Sequence, residues 1–86
     1  MYKVLFTPQA EDDLSSIDKT IAIQISNKID WLSQNASHII HEQLTGKFKG
    51  KYKMRAGDWR IIYFIDHSAE TITVYAIEHR SKIYKI

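Results

Sequence analysis

The start of the chain changes from a strand-like to a helix-like spacing of apolar residues. Apolar side chains first occupy every second position, at Tyr2, Val4 and Phe6, which predicts a strand. Thr7, followed by a proline, then provides a typical helix N-cap and first helical position. Acidic residues shortly after this pair suit the positive end of a helix dipole. These features predict a first helix over about residues 8–17.

A second helix is predicted from a stripe of apolar residues that begins just after Asp18. Asp18 is a good capping residue, and the members of the stripe are spaced three or four positions apart, at Ile21, Ile25, Ile29 and Leu32. The beginning of this segment also alternates as a strand would, and β-branched residues are mediocre helix formers. The periodic run of about fifteen residues favours the helix, because strands are usually shorter.

Strand-like patterns return in the second half of the chain. Residues 34–50 are mostly small, polar or basic, and they predict a loop. Aromatic and β-branched residues then dominate three segments, which predicts strands over residues 52–55, 59–66 and 71–77. Gly57 and Asp58 form a typical two-residue turn between the first two of these strands. Residues 79–86 remain as a short tail.

The order of these elements predicts an α+β fold with the topology β-α-α-β-β-β. We expect one domain spanning residues 1–86, because a chain of this length has room for a single core. In that domain two helices pack on one face of a small, twisted, mostly antiparallel four-stranded sheet.

The predicted hairpin separates a cationic face from an apolar one. A two-residue turn sets the cross-strand pairs as Ala56 with Trp59, Arg55 with Arg60, and Lys53 with Ile62. Lys53, Arg55 and Arg60 then share one face, and we expect them to have no protein counter-ion. The other face is apolar enough to receive the helices and carries Tyr52, Met54, Ile61, Tyr63 and Ile65.

Composition and charge narrow the class of protein. The 86 residues include no cysteine, so disulfides are not expected, and no apolar run is long enough to span a membrane. The first residues do not resemble a secretion signal, so a soluble cytoplasmic protein is expected. Residues 1–42 carry 3 Lys and Arg against 6 Asp and Glu, whereas residues 43–86 carry 9 against 4. The basic second half is therefore where an anionic partner is expected to bind.

Five cations at alternate positions stand out in this basic half. They are Lys47, Lys49, Lys51, Lys53 and Arg55. In an extended chain this spacing places all five on one face, where like charges repel one another unless an anion neutralises them. Together with Arg60 the run predicts a surface that binds phosphate groups. Taken alone, the same run is also typical of a solvated strand face or loop.

A combined set of residues across nearly the whole chain follows a known pattern. Its members are Leu44, Gly46, Gly50, residues 52–55, residues 57–63, residues 79–81 and Tyr84. With these residues the chain resembles the RelE/ParE superfamily of bacterial toxins, most closely its RelE-like branch. The predicted order of elements agrees with the fold that this resemblance implies. The sequence departs from the family pattern at Arg55, where some members have lysine, and at Glu78, where many have glycine.

The resemblance implies the toxin of a type II toxin-antitoxin system that cleaves mRNA in the ribosomal A site and inhibits translation. It implies a RelB-like antitoxin as the partner, operator DNA bound only through the antitoxin complex, and neither a metal nor another cofactor. The residues that match functional positions of RelE-like toxins are Lys53, Arg55, Arg60, Arg80 and Tyr84. The neighbouring Lys47, Lys49 and Lys51 are expected to bind RNA.

The chemistry of RNA cleavage suggests a role for each of the five matched residues. Attack by the 2′-hydroxyl on the adjacent phosphorus needs a proton acceptor, cations around the phosphorane and help for the departing 5′-oxygen. Lys53 is the favoured acceptor, because neighbouring cations disfavour its ammonium form. Arg55 and Arg60 would hold the phosphate oxygens, and Arg80 would neutralise charge on the leaving side or on the phosphate. Tyr84 would orient or stack on a base, or donate a proton.

The residues also allow other interpretations. The chain could be a ParE-like toxin that poisons DNA gyrase by binding, or a basic RNA-binding module without activity. Arg60 could form a structural salt bridge, for which Asp58, Asp66 and Glu78 are the candidate partners. His79 is a further candidate for proton transfer. A trio with the spacing of metal ligands consists of His38, His41 and Glu42.

Overall fold

The computed structural model describes residues 1–83, which form three helices and five strands. In chain order the elements are β1 (Lys3–Phe6), α1 (Pro8–Ser15), α2 (Lys19–Asn35), β2 (Glu42–Gln43), β3 (Tyr52–Ala56), β4 (Trp59–Asp66), β5 (Thr71–His79) and α3 (Arg80–Ile83). The α+β class is confirmed. The bounds of β4 agree with the prediction, whereas β5 is two residues longer and the start of the predicted tail forms α3.

The five strands form one sheet in the order β1-β5-β4-β3-β2. β1 runs parallel to β5, and the other neighbouring pairs are antiparallel. The prediction of four strands is wrong by one, because Glu42 and Gln43 pair with the outer edge of β3. Two polar residues form too short a segment to show the alternation that identifies a strand in a sequence.

Both long helices begin at the capping residues that the sequence indicates. The Thr7 hydroxyl accepts a hydrogen bond from the backbone N–H of Ala10 (3.1 Å), and an Asp18 carboxylate oxygen accepts one from Thr20 (3.2 Å). The apolar stripe of α2 is buried, with Ile25, Ile29 and Leu32 in the core. Within residues 1–83, the helices are all too short or too polar to cross a membrane.

The core lies between α1, α2 and one face of the sheet. The fully or almost fully buried strand residues of this core are Ile61, Tyr63, Ile72, Val74 and Ile77. Tyr52, Met54 and Ile65 pack against the same cluster, which confirms the predicted apolar face of the hairpin. The opposite side of the sheet, which we call the open face, carries the side chains of β3 and β4 that alternate with these core residues.

A β-bulge in β5 interrupts its pairing with β4. Ile62 lies opposite Ala76, but the next residue, Tyr63, lies opposite Val74, so Tyr75 has no partner across the ladder. The bulge changes the alternation of side chains along β5. As a result, the core residue that follows Val74 comes three positions later in the chain instead of two.

Two side chains from the region of α1 form hydrogen bonds with the backbone at this bulge and two residues after it. The Thr7 hydroxyl donates a hydrogen bond to the carbonyl of Tyr75 (2.7 Å). The backbone N–H of Ile77 donates one to a carboxylate oxygen of Asp13 (2.9 Å). These bonds satisfy backbone groups that the bulge leaves without partners in the ladder, and they attach α1 to β5.

Replacing Asp13 by alanine is expected to destabilise the protein by about 1–3 kcal/mol, because the backbone N–H of Ile77 loses its acceptor. Asp13→Asn should destabilise it less, since an amide oxygen can accept the same hydrogen bond. Urea unfolding of the purified chain measures both variants, and Asp12→Ala, which removes an exposed carboxylate of the same helix, is the control. Equal destabilisation by Asp13→Ala and Asp12→Ala would contradict the anchoring role of Asp13.

Candidate functional site

Arg55 and Arg60 lie directly opposite each other on the open face, as the hairpin register predicts. Directly opposed residues have Cβ atoms about 4.5–5.5 Å apart, so the two side chains leave the sheet from adjacent points. Arg55 is exposed, whereas Arg60 is only 9% exposed. Glu78 of β5 lies opposite Arg60 on the other side of β4. The end of the open face therefore combines two cations with one carboxylate.

Lys53 lies one step along the same face, and its ammonium group contacts a carboxylate. Its Nζ atom is 3.4 Å from Oε1 of Glu42, which β2 holds directly opposite Lys53. The side chain of Lys53 is 23% exposed and that of Glu42 is 66% exposed. The expectation that Lys53 has no protein counter-ion is therefore wrong, because the sequence pattern does not reveal β2.

Arg80 directly follows β5 and is held beside the turn between β3 and β4. Its backbone N–H donates a hydrogen bond to the carbonyl of Asp58 (2.8 Å), and its Nη1 atom is 3.5 Å from Oδ1 of the same residue. β5 ends opposite the first residue of β4, so Arg80 lies at the end of the sheet that carries Arg55 and Arg60. This arrangement brings cations from β3, β4 and α3 to one end of the sheet.

The two ion pairs are weak competitors for an incoming phosphate group. The carboxylates of Glu42 and Asp58 are 66% and 65% exposed, and ion pairs at such positions contribute only about 0–1 kcal/mol. A phosphate offers several oxygens that accept charge-assisted hydrogen bonds from lysine and arginine. Lys53 and Arg80 are therefore both able to exchange their internal partner for a phosphate.

The alternating cations before β3 do not form one strand face. Residues Gly46–Phe48 form a 3-10 turn, and the extended conformation begins only at Tyr52. Gly46 and Gly50 have φ values of 68° and 89°, a backbone conformation that glycine adopts at little cost and that ends an extended segment. The prediction that five cations share one extended face is therefore wrong for the three lysines that precede β3.

Two of these lysines lie over aromatic rings instead. The Nζ atom of Lys51 is 4.4 Å from the ring centroid of Tyr75, and that of Lys47 is 5.2 Å from the centroid of Phe48. Lys49 is exposed on the same segment. Phe48 contacts Tyr75 with centroids 6.2 Å apart, so the segment crosses β4 to reach β5. The three lysines therefore lie on a segment that crosses over the open face, and they do not extend the alternating pattern of β3.

His41 anchors the segment that leads into β2. Its Nε2 atom must donate to the Ala36 carbonyl (2.7 Å), since a carbonyl oxygen can only accept, and its Nδ1 atom then accepts from the Tyr63 hydroxyl (2.7 Å). Burial raises the pKa of Tyr63. Both ring nitrogens of His41 are thus used, and residues 1–83 contain no cluster of three or more side chains arranged to hold a metal ion.

The structure shows where the three candidate salt-bridge partners of Arg60 lie. Asp58 forms the ion pair described above, and Asp66 accepts a hydrogen bond from the Ser68 hydroxyl (2.7 Å). This hydrogen bond is the main cause of the lowered pKa of Asp66. Of the three carboxylates considered in the sequence, Glu78 is the one that neighbours Arg60 across the sheet.

Tyr84 and His79 are the two remaining candidates for proton transfer. Tyr84 lies outside the residues that the structure describes. His79 is opposite Trp59, and the two rings contact each other edge to face with centroids 5.2 Å apart. Trp59 packs against the core, so His79 lies on the helix side of the sheet rather than on the open face. This position argues against His79 as a proton donor at the cationic site.

Three residues contact the cations of the site in pairings that the sequence did not predict. They are Glu42, Asp58 and Tyr75, which contact Lys53, Arg80 and Lys51 respectively. Asp58 had a visible signal, because a turn aspartate two residues before Arg60 is close to the cations in any hairpin. Glu42 and Tyr75 meet their lysines only through β2 and through the segment that crosses β4. No local pattern in the sequence indicates either contact.

Known toxins are similar to this chain in both sequence and fold. Residues 4–84 match the family described as ParE toxin of type II toxin-antitoxin system, parDE. Over 85 residues the chain is 27% identical to Toxin RelE of Mycobacterium tuberculosis, an alignment that covers 99% of this chain and 88% of the relative.

Two solved structures illustrate the similarity in fold. The toxin-antitoxin complex RelBE2 from Mycobacterium tuberculosis contains a chain that matches with a TM-score of 0.81 at 26% identity, covering 93% of this chain and 92% of that one. The isolated E. coli RelE toxin matches with a TM-score of 0.76 at 19% identity, covering 98% and 92%. At 19% identity the second match shows a shared fold alone.

Proposed function

The chain belongs to the ParE toxin family of type II toxin-antitoxin systems, and from this premise we propose that it is a RelE-like endoribonuclease that cleaves mRNA in the ribosomal A site. The observation that carries this proposal is the placement of Lys53, Arg55 and Arg60 together on the open face, with Arg80 at the same end of the sheet. Such a cluster suits a phosphate whose negative charge grows during cleavage. Cleavage there would inhibit translation.

The proposed reaction is an internal transesterification of RNA. The 2′-oxygen attacks the adjacent phosphorus, its proton passes to a base, and the bond to the 5′-oxygen breaks as that oxygen takes up a proton. The products are a cyclic phosphate and a free 5′-hydroxyl. This chemistry can proceed with cations supplied by side chains, so the proposal includes no metal or cofactor.

Each residue of the cluster has a proposed role in that reaction. Lys53 accepts the proton of the 2′-hydroxyl after its ammonium group has left Glu42 and released its own proton to solvent, a release that the neighbouring Arg55 and Arg60 favour. Arg55 and Arg60 bind the phosphate oxygens, and the planar guanidinium groups favour two hydrogen bonds each. Arg80 neutralises charge on the leaving side. Outside this cluster, Lys47, Lys49 and Lys51 contact the RNA strand and Tyr84 assists the departing oxygen.

Glu42→Gln tests whether the Glu42 carboxylate only competes with phosphate for Lys53 or itself accepts the proton of the 2′-hydroxyl. If Glu42 only competes with phosphate for Lys53, the variant should bind a short single-stranded RNA a few-fold more tightly, because a like charge has been removed from the site. Fluorescence anisotropy with a 2′-O-methyl RNA measures this affinity without cleavage. Tighter binding combined with a cleavage rate at least a hundredfold lower would assign the proton transfer to Glu42 instead of Lys53.

We also propose that a RelB-like antitoxin silences this chain in the cytoplasm. The solved relative RelBE2 is a toxin-antitoxin complex, which supports a partner of the same type here. The net basic second half of the chain suits an acidic partner segment. Binding to operator DNA is expected only of the complex, through its antitoxin.

A DNA gyrase poison is the second candidate function, because the matching family is described as ParE toxin. Induction of the chain in bacteria, followed by pulse labelling, distinguishes the two functions. We expect protein synthesis to stop before DNA synthesis and mRNA to be cut on ribosomes, while naked RNA is cut only feebly. Early arrest of DNA synthesis with intact mRNA would favour the gyrase poison, and unaffected growth would favour an inactive RNA-binding module.

A further inference from the structure

Two aromatic rings that contact each other, and a third on the neighbouring strand, lie on the open face. Phe64 of β4 and Tyr75 of β5 have 41% and 40% of their surface exposed, and neither belongs to the core beneath the helices. Phe48 lies edge to face with Tyr75, with ring centroids 6.2 Å apart. We call Phe48, Phe64 and Tyr75 the aromatic platform. None of these residues has a role in the cleavage chemistry proposed above.

The platform has a buried base of its own. Ile62 and Ala76 are only 1% and 6% exposed, although they lie on the open face and not in the core cluster. Phe48 precedes β3, whereas Tyr75 lies on β5, so their contact requires residues 46–51 to cross β4 above Ile62. The platform is therefore a built surface rather than a set of isolated side chains.

The backbone that presents Tyr75 is held in place from the other side of the sheet. Tyr75 is the bulged residue, and its carbonyl accepts the hydrogen bond from Thr7. No residue lies directly opposite Tyr75 on β4, and 40% of the surface of Tyr75 stays exposed although Lys51 and Phe48 contact its ring. Bulges recur next to functional sites, where they direct a particular side chain.

The charges around the platform indicate what it binds. The ammonium groups of Lys51 and Lys47 lie 4.4 Å and 5.2 Å from the ring centroids of Tyr75 and Phe48. Single-stranded RNA is bound by this combination, in which aromatic rings stack on bases and nearby cations bind the phosphates between them. We propose that the aromatic platform is a stacking site for one unpaired base of the RNA substrate, adjacent to the linkage that is cut.

The position of the platform fits a neighbouring nucleotide. Phe64 lies two residues along β4 from Ile62, which is opposite Lys53. Two strand residues span about 7 Å, so the platform begins about that distance from the row that contains Lys53. This inference rests on the proposed nuclease function, to which it adds a subsite for substrate. Binding to the platform is nevertheless measurable without any cleavage.

Tyr75→Leu tests the stacking role, because leucine still covers Ile62 and Ala76 but cannot stack on a base. The probe is a short single-stranded RNA with 2′-O-methyl groups at every position and one 2-aminopurine base, whose fluorescence falls when it stacks. We expect Tyr75→Leu to weaken binding roughly tenfold to a hundredfold and to abolish the fluorescence change. Tyr75→Phe, which retains the ring, should preserve both.

Trp31→Ala provides a matched control on the other side of the molecule. Trp31 of α2 is 43% exposed and has the Nζ atom of Lys28 4.8 Å from its ring centroid, so it combines a ring and a cation as Tyr75 does. This variant should bind the probe with unchanged affinity. A second probe carries an abasic site in place of the stacking base. The unaltered protein should bind this abasic probe as weakly as Tyr75→Leu binds the intact probe. Tyr75→Leu should bind both probes with the same affinity.

Unchanged probe binding and fluorescence in folded Tyr75→Leu would overturn the stacking site. If Tyr75→Leu loses antitoxin binding but retains RNA binding, the platform is an interface for the antitoxin and not a stacking site. An unaltered protein that does not bind the probe would overturn it as well. Failure of the nuclease proposal gives a different result, in which the unaltered protein binds and quenches the probe but leaves ribosome-bound mRNA intact.

Discussion

Lys53→Ala is expected to slow the cleavage of ribosome-bound mRNA by about a hundredfold or more, the usual scale for the loss of a general acid or base. Lys53→Arg should be nearly as slow, because a guanidinium group retains the positive charge but does not release a proton at neutral pH. Single-turnover cleavage on programmed ribosomes measures the rates. Anisotropy with an uncleavable RNA measures binding, which Lys53→Arg should leave within a few-fold of the original.

The comparison of the two Lys53 variants separates proton transfer from charge. If Lys53→Arg cleaves as fast as the unaltered protein, Lys53 contributes a charge only, and the base must be another group such as Glu42. Lys19→Ala is the control, because Lys19 is an exposed cation at the start of α2, outside the proposed site. A comparable loss of cleavage in Lys19→Ala would show that net charge, rather than the cluster on the open face, determines the rate.

Arg60→Ala is expected to lower the cleavage rate by about a hundredfold to a thousandfold, the range measured when one donor to a developing oxyanion is removed. Arg60 is 9% exposed on the open face, so its guanidinium group acts in a less solvated site than the neighbouring Arg55. Arg60→Lys should restore only part of the rate, because an ammonium group cannot make the paired hydrogen bonds of a guanidinium. The same single-turnover assay measures both variants.

Unfolding measurements decide whether Arg60 acts on RNA or on the fold. Arg60 neighbours Glu78 across the sheet, so its removal also changes the environment of a carboxylate. Arg60→Ala combined with Glu78→Gln should recover any lost stability without recovering cleavage. A double variant that regains both, or an Arg60→Ala protein that cleaves normally while being less stable, would show that Arg60 is a structural residue.

The hairpin of β3 and β4 was predictable from the sequence because its determinants are local. Gly57 and Asp58 fix a two-residue turn, and the turn fixes the register that places Arg55 opposite Arg60. The apolar alternation of β4 then decides which face meets the helices. The same reasoning explains α2, where Asp18 and a stripe of apolar residues outweigh the preference of β-branched residues for strands.

The parts that sequence analysis missed depend on contacts between distant segments. The bulge in β5 is accompanied by hydrogen bonds to Thr7 and Asp13, which lie more than sixty residues earlier in the chain. It had one local sign, because the apolar core positions Ile72, Val74 and Ile77 are spaced by two and then by three. Strict alternation would have placed Glu78 on the same face as Val74, in the core, instead of beside Arg60.

Ion pairs and the path of residues 46–51 could not be predicted for a related reason. Alternating lysines predict an extended strand only if nothing interrupts the backbone, and Gly46 and Gly50 do interrupt it. The partner of Lys53 is supplied by a two-residue strand, and the partner of Lys51 by an aromatic ring two strands away. A charge pattern therefore identified the cationic residues of the site but not their neighbours.

The pairing of β1 with β5 determines when the sheet can be completed during synthesis of the chain. β1 pairs in register with Thr71 and the residues after it, so the first strand has no partner until the last strand has been made. β5 also lies between β1 and β4, and Arg80 follows it. A nascent chain that stops before Thr71 lacks the middle of the sheet and one cation of the site. Chains that end before Thr71 therefore cannot form the complete sheet that carries the proposed site.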